Sequence, residues 1–398
     1  MGRLISMLLF FIGFVSSTQL IAKYWNVYLL FDDVLLLLLV ILGTIDFVAN
    51  NSFSKTNVVL AIALTGFFTF SFVVNFYSFN AFLVKSLFYL KPLVVFVFIG
   101  YLSKKYVTSA MILWFYRLSI LICLFAWIEF YYIQFVDFSA LKYFSPAVRT
   151  GIYRASSITW HPISLALLGL ISILIGKEII KDGRRWPYLI FFGAIVLSGT
   201  RFVIFISLVY FLYRYLTLRK FRFHQFHVNG KRVFFFIWPF LFLVIFSLSS
   251  YITIRDQNSL RSVTFTKGLP LLVDDPRVLV VGSGIGSFGS FESVVYDSPV
   301  YKKIGFPEHY KTIMLNANKR SGTENFFFMA LVELGLIGLL LYFCLLLRIS
   351  GTKITTFFAF YVLLVLSFSL VYPLNALPYL YLVNIFFPYG KKQLFVKN

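Results

Sequence analysis

Five arginines, Arg154, Arg201, Arg261, Arg277 and Arg320, fall in segments that the pattern of apolar runs assigns to one side of a membrane. Short loops on that side are normally poor in arginine. A guanidinium stays protonated, presents a planar fork of donors and grips phosphate through two parallel bonds. A cluster of them suits the neutralisation of a diphosphate leaving group. Arg201 is the sharpest case. It sits in a break between two short apolar runs, and an arginine at membrane depth usually faces a partner or a wet cavity. For the other loop arginines a plainer role competes, pairing with Asp256, Asp274 or Asp275.

Two further charges fall inside apolar runs, Lys91 before Pro92 and Glu129. Intramembrane charges are functional candidates by default. A Lys91–Glu129 structural pair or snorkelling is the alternative. Glu324, followed by Asn325, stands where the chain re-enters an apolar run. A carboxylate there could take a proton from an acceptor hydroxyl if burial raises its basicity. It could instead open a helix or pair with Arg320. Gly284-Ile-Gly286-Ser-Phe-Gly289 fits G-x-G-x-x-G after a strand-like Arg277–Val281. It lies in a segment expected outside, with no βαβ unit around it, so a dinucleotide site is not expected. The glycines read as a turn that lets backbone N–H groups approach a ligand. No metal site is expected. His224 and His227 lie among basic residues without Cys or acid nearby, and H-E-x-x-H, C-x-x-C and D-x-D are absent. Cys123 and Cys344 lie within apolar runs and read as small core hydrophobes.

The elements that must carry these residues follow from composition. Of 398 residues, 60% are hydrophobic and 13% charged, with mean hydropathy +0.86. A soluble domain has about 25% charged residues, so a soluble globule is excluded, and so is a disordered chain. Apolar runs fall at 4–22, 34–49, 57–76, 81–102, 109–135, 160–177, 186–199, 202–217, 233–251, 325–347, 354–372 and 375–389. At about 20 residues a span, they predict an all-α polytopic protein with about twelve transmembrane helices in a single membrane domain over 1–398. The net charge of +21 comes mostly from lysines and arginines between runs, where they set orientation rather than bind nucleic acid. Lys104, Lys105, Lys177, Lys181, Arg184, Arg185, the cluster over 214–232, Arg348, Lys353 and the tail lysines all fall on one side with both termini. That side is the cytoplasm. The stretch from Arg3 to Ala22 reads as a retained anchor. Residues 136–159 form a medium outer loop and 252–324 one long outer loop that caps the membrane domain. Ser198–Arg201 is read as a tight reversal, with one long tilted helix as the competing reading.

Several features in order resemble the O-antigen polymerase and O-antigen ligase superfamily of polysaccharide-assembling membrane enzymes. They are Arg154-Ala-Ser-Ser-Ile-Thr-Trp-His161-Pro162 entering a run, Leu197-Ser-Gly-Thr-Arg201 between two short runs, and an outer loop with an early Arg261 and a Pro276-to-Gly286 turn. The last is Glu324-Asn325-Phe-Phe-Phe-Met-Ala-Leu-Val-Glu333-Leu-Gly335-Leu-Ile-Gly338. Together they cover about 154–340. The resemblance implies a membrane glycosyltransferase fold of the GT-C type in the bacterial inner membrane, with the active site facing the periplasm. It implies sugar transfer from an undecaprenyl-diphosphate-linked donor with no metal and no cofactor. Arg201 and Arg261 would hold the donor diphosphate, while the resemblance leaves the catalytic base open; the residues themselves offer Glu324 as the candidate base and Arg154, His161, Arg277, Asn325 and Lys91 as further substrate-binding candidates. The ligase branch has a His-Asn-type pair where this chain has Glu324-Asn325, a departure that favours the polymerase branch. The expected partners are lipid-linked oligosaccharides, the bilayer and a chain-length regulator. A ligase acting on lipid A-core is the alternative, and a lipid-linked oligosaccharide transporter or flippase the alternative of another class.

Overall fold

The computed structural model describes residues 37, 41, 44, 45, 55–75, 77–87, 89–90, 106–139, 148–149, 151–157, 162–200, 203–208, 210–211, 260–316 and 326–349. The described residues are mostly helical. The runs at 4–22, 233–251, 354–372 and 375–389, the basic segment 214–232 and both termini lie outside them.

The helices follow the apolar runs. They are α1 (Lys55–Val74), α2 (79–87, helical again at 89 and 90), α3 (Ser109–Tyr131), α4 (Pro162–Leu174), α5 (Trp186–Leu197) and α6 (203–208, helical again at 210 and 211). A π-helical turn, Tyr132–Val136, extends α3, and another, Ile175–Ile180, extends α4. With the first of these, α3 runs from Ser109 to Val136, and it is the one described helix long and apolar enough to cross a membrane. It starts cleanly because Thr108 is extended and its hydroxyl accepts from the Met111 N–H at 3.3 Å, which satisfies an orphan donor of the first turn. Its apolar surface goes all the way round: Phe115, Tyr116, Ile122 and Ala126 are buried, whereas Trp114, Leu121 and Ile128 are more than 60% exposed. A helix apolar on every face is a core or lipid-facing helix. Helices α3, α4 and α5 pack together, with Gly169 of α4 beneath Ile195 and Gly193 of α5 beneath Trp127.

The break between the seventh and eighth runs is a reversal. Helix α5 ends at Leu197, and Gly199 takes φ +61°, a left-handed conformation that glycine adopts without steric cost. The Phe192 and Phe211 rings then meet at 5.8 Å, which a single continuous helix would forbid.

The expected outer loop folds. Helices α7 (Leu260–Asp274), α8 (Pro276–Val281), α9 (Phe291–Val295), α10 (Pro299–Lys303) and α11 (Glu308–Asn316) enclose a core of their own, with Val263, Leu272, Phe288, Tyr301 and Met314 buried in it. Helix α12 (Phe326–Ile349) closes that core from below through Phe328 and Val332. The expected strand over Arg277–Val281 is corrected: these residues are α8. Pro276 opens it with no N–H to leave unpaired, and the Val278 and Leu279 N–H groups bond the Asp275 carbonyl. No neighbouring strand offers a ladder, so local bonds win. The only strand pair among the described residues is the antiparallel hairpin of β1 (Val148–Arg149) and β2 (Ile152–Tyr153).

Candidate functional site

The segment 153–157 draws three elements together at one end of the helix bundle. Tyr153 and Ser156 turn to α3, where Glu129 is 2% exposed. Glu129 Oε1 accepts from the Tyr153 hydroxyl, and from the Ser156 N–H and hydroxyl at 3.3 Å each. Burial, reinforced by the Glu129 charge, holds the Tyr153 phenol well above its usual value, so it stays a donor. Arg154 turns to the other side. Its Nε donates to the Ser198 carbonyl at 2.9 Å and its Nη2 to Thr200 Oγ1 at 3.4 Å. Between them the Ala155 N–H donates to the Leu197 carbonyl at 3.0 Å. The turn is stitched further by Ser198 Oγ, which donates to the Ile195 carbonyl at 2.6 Å. Gly199 leaves room for the Arg154 side chain, since a Cβ there would lie 3.2 Å from Nε.

Two motifs that lie more than forty residues apart in sequence therefore meet. Arg154 holds the turn whose next residue is Arg201. The opposite end of the bundle is marked by Asp182, which pairs with Arg184 at 2.9 Å and accepts from Tyr116 near the start of α3. The Arg184 fork holds the Asp182 carboxyl below its ordinary range.

Arg201, His161, Glu324, Asn325 and Lys91 lie outside the described residues. Arg261 lies in the first turn of α7, and its side chain is not described. Arg277 is exposed on α8. The acid beside it, Asp275, is taken by Lys303 at 2.9 Å, which lowers the Asp275 carboxyl pKa. For Glu129 the described partners are Tyr153 and Ser156, and the alternative of a Lys91 pair falls on a residue outside the described ones.

A second buried polar cluster was not singled out from the sequence. Glu333 of α12 is fully buried. It accepts from the Tyr89 hydroxyl at 2.6 Å and from the Phe288 N–H at 3.1 Å. Lys85, 2% exposed, lies beside it and donates to Met329 Sδ at 3.2 Å. The signal was available: both charges fall inside apolar runs, the rule that picked out Lys91 and Glu129. Among the described residues no group of His, Cys, Asp and Glu could hold a metal ion.

The glycine-rich stretch is a packing device. Helix α12 is interrupted at Gly335 (φ +65°), and the carbonyls of the turn before it accept from the glycine-rich stretch. The Ser283 N–H donates to the Val332 carbonyl at 2.8 Å and the Gly284 N–H to the Glu333 carbonyl at 3.1 Å. A Cβ at Gly286 would come within 2.7 Å of the Ala81 carbonyl, and one at Gly335 within 2.6 Å of Val280 backbone. Tyr77 completes the seam by donating to the Gly286 carbonyl. With a helix before it and no parallel strand beside it among the described residues, this turn lacks the βαβ setting of a dinucleotide site.

No protein-family model, no curated sequence and no solved structure matches the chain.

Proposed function

We propose that the chain is a metal-independent membrane glycosyltransferase of the O-antigen polymerase type. It transfers a growing glycan from undecaprenyl diphosphate onto a lipid-linked repeat unit at the periplasmic face. The observation that carries this reading is the meeting of Arg154 with the Ser198–Thr200 turn. It gathers two arginine-bearing motifs at one end of an apolar helix bundle. The proposed architecture is GT-C-like, with about twelve spans. The exposed apolar faces of α1, α3, α5 and α12, with Ile62, Leu121, Leu189 and Leu340 each more than 60% exposed, suit lipid.

In the proposed reaction Arg201 and Arg261 neutralise the diphosphate as its bond to the sugar breaks, electrostatic help that needs no proton transfer. Glu324 takes the proton of the attacking hydroxyl. Arg154 acts through the turn and fixes where Arg201 starts. Glycan profiling of a deletion strain tests the function directly. Loss of a polymerase leaves a single repeat unit on the lipid A-core, whereas loss of a ligase leaves none.

A second reading has its own support. The break in α12 beside the buried charges Lys85 and Glu333 resembles the interrupted helices of secondary transporters. A flippase would instead leave repeat units trapped on the cytoplasmic face, which the same deletion strain reveals.

A further inference from the structure

Among the described residues the proposed outer cap, 260–316, meets the helices beneath it along a seam at whose centre Glu333 lies. Glu333 lies about two turns inside α12, with one carboxylate oxygen on Tyr89 of α2 and the other on the backbone N–H of Phe288 in the cap. Phe288 is itself anchored. Its ring packs on Tyr301 at 6.0 Å and on Phe328 at 6.1 Å. The neighbouring Gly289 N–H donates to the Tyr301 hydroxyl at 2.9 Å. The peptide that Glu333 holds is thus rigidly joined to the cap's core. Around it the glycines bring backbone against backbone, while Phe328 and Val332 of α12 pack into the cap's core. Burying a carboxylate costs several kcal/mol unless hydrogen bonds and an opposite charge offset it. Here Tyr89, Phe288 and Lys85 do so together, and they come from the helices and the cap alike.

We infer that Glu333 is a latch that seats the outer cap on the membrane helices. It is a positioning residue, because it acts through the Phe288 peptide. On the function proposed above, its consequence is direct. Arg261 rides on the cap, whereas Arg154 and the turn before Arg201 belong to the bundle. One diphosphate can be held by both arginine groups only while the cap is seated. The latch itself does not depend on which reaction the arginines serve.

Thiol labelling of the full-length protein in membranes tests it. Ser287, 1% exposed in the glycine-rich stretch, is replaced by cysteine in a Cys344→Ser background. The natural Cys123, fully buried among α3, α4 and α5, serves as the internal control. Lys85→Met with Glu333→Met removes both charges and leaves an apolar pair of similar volume, an exchange that helices tolerate. It is expected to speed labelling of Ser287→Cys by about tenfold or more, the scale of one lost charge-assisted bond. Cys123 should stay protected. Lys85→Met with Glu333→Gln is the rescue. The glutamine carbonyl can still accept from Phe288 and its amide can donate to the Tyr89 oxygen, so protection should return to within about threefold of the parent. Unchanged labelling in the Met pair overturns the latch. So does labelling in the Gln pair as fast as in the Met pair, since hydrogen bonding to the cap would then be irrelevant. Both outcomes are readable whether or not the protein polymerises glycan. Loss of polymerisation with unchanged labelling speaks against the latch and leaves the reaction standing.

Discussion

The Arg154 Nε donates to the carbonyl oxygen of Ser198 at 2.9 Å and so ties the segment after β2 to the turn that reverses the chain between α5 and α6. On the function proposed above, Arg154 acts through the residue that follows the turn.

Arg201→Ala and Arg261→Ala are each expected to abolish polymerisation without loss of the folded protein, because a charge-assisted bond to phosphate is worth about 1.5–3 kcal/mol. Lysine should rescue only partly, since it lacks the fork. Arg154→Ala should lower the rate by about a hundredfold through misplacement of the turn, with protein level little changed. Glycan ladders at matched membrane protein levels check all three, and long-chain glycan from Arg201→Ala would sink the clamp.

Glu324→Gln separates base from helix start. The exchange is nearly isosteric and keeps hydrogen bonding, so a helix-start role loses little. A base role costs about a hundredfold or more. Retained polymerisation would leave the proton to His309, which is exposed on α11, or to the substrate.

Orientation can be read by an impermeant thiol reagent. Cysteine at His309 should label in cells with an intact inner membrane, and cysteine within 214–232 only after that membrane is disrupted. Ser293 is the wrong place for the outer probe: it is buried and bonded to Ser290 and Tyr301. The reverse labelling pattern would overturn the orientation and the reaction with it.

Gly335 and Gly66 should respond oppositely to alanine. Gly335 takes a left-handed φ with Val280 and Gly282 backbone in the path of a Cβ. The conformation alone costs about 1–2 kcal/mol for an L-residue, and the overlap adds to it. Gly66 lies inside α1 with nothing within 4 Å of a Cβ, so alanine there should gain about 0.5–1 kcal/mol of helix propensity. Thermal melts of the purified protein compare the two. Equal melting temperatures would contradict the break in α12.

Hydropathy alone was enough to place α1, α3, α5 and α12, because an apolar run long enough to span lipid has few other ways to satisfy its backbone, whereas the helices over 260–316 lie in a segment it read as a loop. The edges of α1, α3, α5 and α12 fall within a few residues of the runs at 57–76, 109–135, 186–199 and 325–347. The reversal at Ser198–Arg201 was legible for a similar local reason, since Ser-Gly-Thr breaks a helix and glycine accepts the left-handed turn. Pairing was not legible. Glu129 was visible as a buried charge, yet its described partners are Tyr153 and Ser156, brought across only when the segment after β2 folds back over α3. Lys85, Tyr89 and Glu333 come from segments 244 residues apart in sequence, and no spacing rule links them. The strand-like Arg277–Val281 became a helix because a strand needs a neighbour and a helix does not. The glycine-rich stretch that imitates a nucleotide fingerprint is fixed by what it packs against. Only the tertiary structure shows that backbone, from α12 and from Ala81, fills the space where the side chains would be.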